Sequence, residues 1–164
     1  MKKVRKEVFI ALLCAFAIIV NILEGAYLSF LPYGLKLGLA NIFALIVWKR
    51  YGIREMLLLN FIRVTTAALL KGSLFSVSFF ISFAGITLSC VTMIIMHKKS
   101  GLMFASVLSA IMHNIGQLIA VIVIYREISI AVMLPALLLI GIPCGLLTGY
   151  AAALILARID GRAI

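Results

Sequence analysis

Six apolar segments separated by short loops occupy nearly all of this 164-residue chain, and several carry ionisable or amide side chains inside the apolar run. A helix needs about 20 apolar residues to cross a hydrocarbon core of about 30 Å. Hydrophobic residues make up 65% of the chain and charged residues 12%, with mean hydropathy +1.26; soluble domains average about 45–50% and 25%. No soluble core hides that much apolar surface. The class that follows is an all-α integral membrane protein with six transmembrane helices, one domain over residues 1–164.

The expected spans are 8–30, 35–49, 55–71, 75–96, 102–125 and 129–157. The second and third are short for a crossing, as is tolerated where a segment lines a protein cavity. Pro32-Tyr33-Gly34 breaks the chain after the first span, and Gly72-Ser73 after the third. Gly141, Pro143, Gly145 and Gly149 are expected to bend or loosen the last. Orientation follows from the cationic residues, which concentrate on cytoplasmic loops. With the N-terminus inside, Lys2, Lys3, Arg5, Lys6, Lys49, Arg50, Arg54, Lys98, Lys99, Arg158 and Arg162 fall on the cytoplasmic side. Lys36, Arg63, Lys71 and Arg126 fall outside or within the membrane. Both termini are therefore expected in the cytoplasm of a prokaryotic cell, with the chain crossing its inner or plasma membrane.

The net charge of +10 sits in short runs between apolar segments. Such runs face anionic lipid headgroups, and no folded basic surface exists for nucleic acid. Cys14, Cys90 and Cys144 lie far apart inside apolar segments, which suits small buried hydrophobes better than a disulfide framework or metal site. The basic start followed by an apolar stretch resembles a signal peptide, but no small-residue cleavage site follows, so it reads as an uncleaved first helix.

A charged side chain at membrane depth is costly unless it is paired or faces a polar cavity, so each one is a functional-site hypothesis. At a rise of about 1.5 Å per residue, Asn21 and Glu24 share one face in the outer half of the first span. Lys36 and Asn41 enter on the second, and Asn60 and Arg63 share a face on the third. His113 and Gln117 share a face on the fifth, with Asn114 beside them. Polar groups from four helices thus converge in one outer layer. Glu24 is expected to pair with Lys36 or Arg63, leaving one cation for a ligand; a static network that only locks helices together is the alternative. Tyr27, Phe75, Phe79 and Phe83 are candidates to cover apolar ligand surface.

Ala11 and Ala15, four residues apart on the first helix, form a small-residue strip where another helix approaches closely. Packing within the bundle and docking of a separate membrane subunit both fit it. Prenyl transfer and phosphate processing need clustered carboxylates for Mg²⁺, whereas Asp160 is the sole aspartate. No phosphate-binding GxxxxGK[ST] loop is present, and His113 is the sole intramembrane base. The chain is not expected to be an enzyme, and neither a cofactor nor a metal is expected.

The string from Pro32 to Asn41 through Lys36-Leu37-Gly38-Leu39-Ala40, Glu24 upstream, Arg63 with Gly72, Ser82-Phe83-Ala84-Gly85 through Ser89, and His113-Asn114-Ile115-Gly116-Gln117 resemble the Gx transporter family. That family also carries the label heptaprenyl diphosphate synthase component I. The departures are Ile86, where a second glycine is usual, and Ser109, where glycine is common. The resemblance implies a fold similar to the S components of energy-coupling-factor (ECF) vitamin transporters. In that class an AxxxA strip on the first helix docks a membrane coupling subunit carrying two ATPases, a pattern that Ala11 and Ala15 match.

The resulting expectation is a substrate-binding subunit of an ECF importer. It takes a vitamin-like molecule from outside through Asn21, Glu24, Lys36, Asn41, Arg63, His113, Asn114 and Gln117. Its expected partners are the coupling subunit, the two ATPases, the substrate and the lipid bilayer, with no nucleic acid. Two other readings stay open: a membrane accessory subunit linked to prenyl diphosphate or quinone synthesis, and a self-sufficient transporter or subunit of a membrane redox complex.

Overall fold

The apolar runs fold as helices. A computed structural model of the chain describes residues 2–27 and 36–161. Among them are α1 (Lys2–Tyr27), α2 (Asn41–Tyr51), α3 (Ile53–Leu70), α4 (Val77–Met96), α5 (Leu102–Tyr125) and α6 (Leu134–Ile159), with no strand. A 3-10 turn, Ile128–Met133, leads into α6 and is capped by Glu127, whose carboxylate accepts from the Ser129 hydroxyl and amide. Those bonds, the hydroxyl's first, hold the Glu127 carboxyl below its usual range. The break expected at Pro32-Tyr33-Gly34 and the cation Arg162 lie outside the described residues.

Four stretches are long and apolar enough to cross a membrane: Lys3–Tyr27, Val77–Met96, Leu102–Tyr125 and Ile128–Ile159. The short second segment differs from expectation. Residues 36–40 are not helical, and α2 begins only at Asn41. Its 11 residues extend about 16 Å, half a bilayer, and Ala44, Leu45, Ile46 and Val47 are wholly buried. This is a half-length helix enclosed by the bundle. It turns back into α3 through Gly52, whose φ of 108° suits glycine and whose N–H bonds to the Val47 and Trp48 carbonyls. The two helices thus run antiparallel, and Asn41 reaches Arg63.

One end of the bundle is tied by polar contacts between basic segments. Lys6 pairs with Glu55, and Arg50 with Asp160. The Trp48 indole N–H donates to the Met93 carbonyl at 2.9 Å, and its ring meets His97 edge-on at 5.7 Å. Arg50 and Asp160 join α2 to the end of α6, while Lys6 and Glu55 join the beginnings of α1 and α3.

The α4–α5 and α5–α6 interfaces are the most extensive, whereas α3 touches α4 only lightly. Small residues set that difference, because absent side chains let backbones approach. A Cβ on Gly116 of α5 would lie 2.7 Å from the Ala84 carbonyl oxygen of α4, and one on Gly145 of α6 would lie 2.7 Å from Val107 Cα of α5. The Ser106 hydroxyl donates to the Gly145 carbonyl at 2.7 Å across the latter contact. α6 runs as one continuous helix through Pro143, with Gly141, Gly145 and Gly149 facing α5. Gly116→Ala is expected to force α4 and α5 apart and to destabilise the protein by about 1–3 kcal/mol, read as a lower midpoint of thermal unfolding in detergent.

Candidate functional site

The non-helical stretch from Lys36 to Ala40 passes through the interior, where backbone polar groups need partners. The side-chain amide of Gln117 on α5 supplies two. Lys36 N–H donates to Gln117 Oε1 at 2.8 Å, and Gln117 Nε2 donates to the Lys36 carbonyl at 3.2 Å. Glu24 on α1 supplies a third, with Oε1 accepting from Gly38 N–H at 2.5 Å. Gly38 has φ +81°, and a Cβ there would press on Asn41 Nδ2 at 3.0 Å and His113 Cδ2 at 3.3 Å. Only glycine fits this point, where the chain turns between α1 and α5 before starting α2.

Side chains extend the network. Lys36 Nζ donates to Ser82 Oγ on α4 at 2.9 Å, and that hydroxyl donates to the Ser78 carbonyl at 2.8 Å. Arg63, 1% exposed, donates through Nη2 to Asn41 Oδ1 at 3.0 Å. Gln117 Nε2 also contacts His113 Nε2. Because an amide NH₂ only donates, this His113 nitrogen accepts and the ring proton belongs on Nδ1. Nδ1 is buried with no hydrogen-bond partner among the described residues.

The ion pairs expected of Glu24 do not form. Among the described residues the salt bridges are Lys6–Glu55 and Arg50–Asp160, while Glu24 Oε1 takes the Gly38 amide instead. Glu24 Oε2, Arg63 Nε and Arg63 Nη1 are buried with no hydrogen-bond partner among the described residues. An acid and a base at membrane depth thus both retain bonding capacity.

Asn21, Glu24, Lys36, Asn41, Arg63, His113 and Gln117 belong to this layer or line its edge. Asn114 turns the other way, donating from Nδ2 to the Leu137 carbonyl beside α6 at 2.9 Å. Asn60 meets sulfur instead, Cys90 Sγ at 3.1 Å and Met56 Sδ at 3.4 Å. Of the aromatic candidates, Phe79 is buried against the layer, while Tyr27 and Phe75 are highly exposed. Phe83 lines an apolar groove of about 300 Å³ along the α3–α4 seam.

Sequence reasoning left Lys71 out of the layer. It shares a small cleft with Asn21, Lys36, Ser73, Ser78, Phe79 and Ser82, with space of about 10 Å³, the size of one water. The four-residue spacing of Ser78 and Ser82 on one face of α4 was the available signal. Ala11 and Ala15 both lie on the exposed face of α1, so they are not packing positions within this bundle.

These features define a multi-pass helical membrane protein with a polar layer buried among its helices. The chain belongs to the heptaprenyl diphosphate synthase component I family, whose family model matches residues 13–155, a span that contains the whole layer. No curated protein and no solved structure matches the chain. Removing the acceptor of Arg63 by Asn41→Leu is expected to leave a buried guanidinium without its hydrogen bond and to cost about 2–3 kcal/mol, measured as lost thermal stability in detergent; Asn41→Asp is expected to retain the bond.

Proposed function

We propose that this chain is the non-catalytic, substrate-binding membrane subunit of an ECF-type importer, capturing a vitamin-like small molecule in the polar layer. The observation that carries the reading is the set of buried charged atoms with unused bonding capacity, Glu24 Oε2 and Arg63 Nε and Nη1. A purely structural network satisfies its members, since a half-satisfied buried network is destabilising. A ligand that brings both a donor and an acceptor meets both needs. The layer lies away from the basic end of the bundle, which the distribution of cations assigns to the cytoplasm, so the substrate enters from outside.

Ala11 and Ala15 form the docking strip of this reading. They sit among Val8, Leu12 and Phe16 on the outward face of α1, where small residues let a partner helix approach closely. The partner is a membrane coupling subunit with two ATPases, whose ATP hydrolysis reorients the bundle and releases the substrate inward. In this arrangement the α2–α3 hairpin completes six passes into and out of the bundle.

The family description favours a second reading, a membrane accessory subunit of a prenyl diphosphate synthase. In that case the basic end holds a soluble enzyme. Native mass spectrometry of gently purified protein separates the two. The importer reading expects a co-purified small molecule lost on Arg63→Ala, together with a coupling complex. An empty layer with a bound soluble synthase replaces it by the accessory reading. Ala11→Leu with Ala15→Leu is expected to abolish uptake while leaving ligand binding unchanged; uptake that persists removes the docking assignment.

A further inference from the structure

Lys36 and Lys71 meet where the polar layer opens away from the basic end of the bundle. Their side chains close over Gly25 of α1, where a Cβ would lie 2.8 Å from Lys71 Nζ and 3.9 Å from Lys36 Cε. Both side chains line the same small cleft. Both can only donate, and like charges repel, so the approach calls for an anion. Among the described residues no carboxylate forms an ion pair with either lysine. The ion pairs among the described residues are at the far end of the bundle, and Glu24 accepts from the Gly38 amide. Glu24 against Lys36 and Arg63 leaves one uncompensated positive charge at membrane depth, a costly state, and Lys71 adds a second at the exposed edge of the layer.

We infer that this cleft is a subsite for a doubly charged anionic group of the phosphate-monoester class. The inference rests on the substrate-binding reading above and specifies the chemistry of the substrate. A phosphate monoester carries a charge of about −1.5 to −2 at neutral pH and three acceptor oxygens, which matches the surplus charge; a carboxylate neutralises half of it. Lysine binds phosphate as a point charge. Ser82 fixes the Lys36 ammonium, and Asn21, Ser73 and Ser78 line the same cleft. The cleft itself holds little more than a water, so the anion sits at its outer mouth. There Lys71 is exposed and free to adjust.

The test uses the full chain in phosphatidylcholine nanodiscs, titrated with phenyl phosphate, benzoate and benzyl alcohol and followed by calorimetry. Phenyl phosphate is expected to bind saturably, benzoate about tenfold more weakly, and benzyl alcohol not at all. Lys71→Gln, a change at an exposed side chain, is expected to weaken phenyl phosphate about tenfold, and Lys71→Arg to restore it. Nanodiscs containing phosphatidic acid distinguish the sources of the group. Competition assigns the subsite to a lipid phosphate, undiminished binding assigns it to a soluble one, and either keeps the inference. Absence of phenyl phosphate binding overturns it, as does equal binding of benzoate or indifference to both Lys71→Gln and Lys36→Gln. A co-purified neutral compound in protein that ignores phenyl phosphate removes the anion subsite and leaves the substrate-binding reading standing. Phenyl phosphate binding in protein with neither a small molecule nor a coupling partner does the reverse.

Discussion

Irregular backbone inside an apolar bundle exists only where side chains take over the hydrogen bonding that a helix would supply. Here Gln117 presents its amide to Lys36 as a neighbouring strand would, donor to acceptor and acceptor to donor. Glu24 adds the bond to Gly38. These three bonds hold the stretch before α2 at its depth, and much else follows from that stretch. It begins α2 late, making it a buried half-helix. It places Asn41 against Arg63 and brings the Lys36 ammonium to Ser82. The polar layer is thus the set of partners that a non-helical segment requires, with charge capacity left over.

That origin explains what could be read from the sequence. Apolar run length was sufficient for the all-helical membrane class, and rise per residue placed Asn21, Glu24, Arg63, His113 and Gln117 at one height. Height does not specify direction around a helix. Asn114 shares a turn with His113 yet serves α6, and Asn60 shares a face with Arg63 yet ends among sulfurs. The misplaced start of the second helix has a related cause. Leu37, Leu39 and Ala40 are as apolar as a helix requires, and the partners that hold them non-helical lie 14 and 81 residues away in sequence. For the same reason Glu24 looked like half of an ion pair: a backbone amide leaves no mark in the sequence as a partner. Lys71 ended the expected third span and was not counted in the layer, because the cleft it shares with Lys36 and Ser82 joins residues far apart in sequence.

The bundle is unequal in its cohesion. Glycines at 85, 116 and 145 seat α4 and α6 against α5 at backbone distance, glycines at 141 and 149 make room for α5 side chains, and serine and threonine hydroxyls cross between α5 and α6. On the other side α1, α2 and α3 pack through larger apolar residues around Trp48 and Met56. The polar layer bridges the two halves, with Glu24, Asn41 and Arg63 on one and Ser82, His113 and Gln117 on the other. Any ligand that engages both Arg63 and the α4–α5 side therefore acts as an added fastener between a rigid slab and a more loosely joined group of helices.

Trp48 is the chain's one tryptophan, 2% exposed, at the end of α2 opposite Asn41. Its indole is fastened to α4 and abuts His97, so its ultraviolet emission originates from a single environment. A helix only 11 residues long transmits displacement at one end to the other as a nearly rigid rod. The native protein consequently contains an optical probe of the polar layer, about two helical turns away from Asn41.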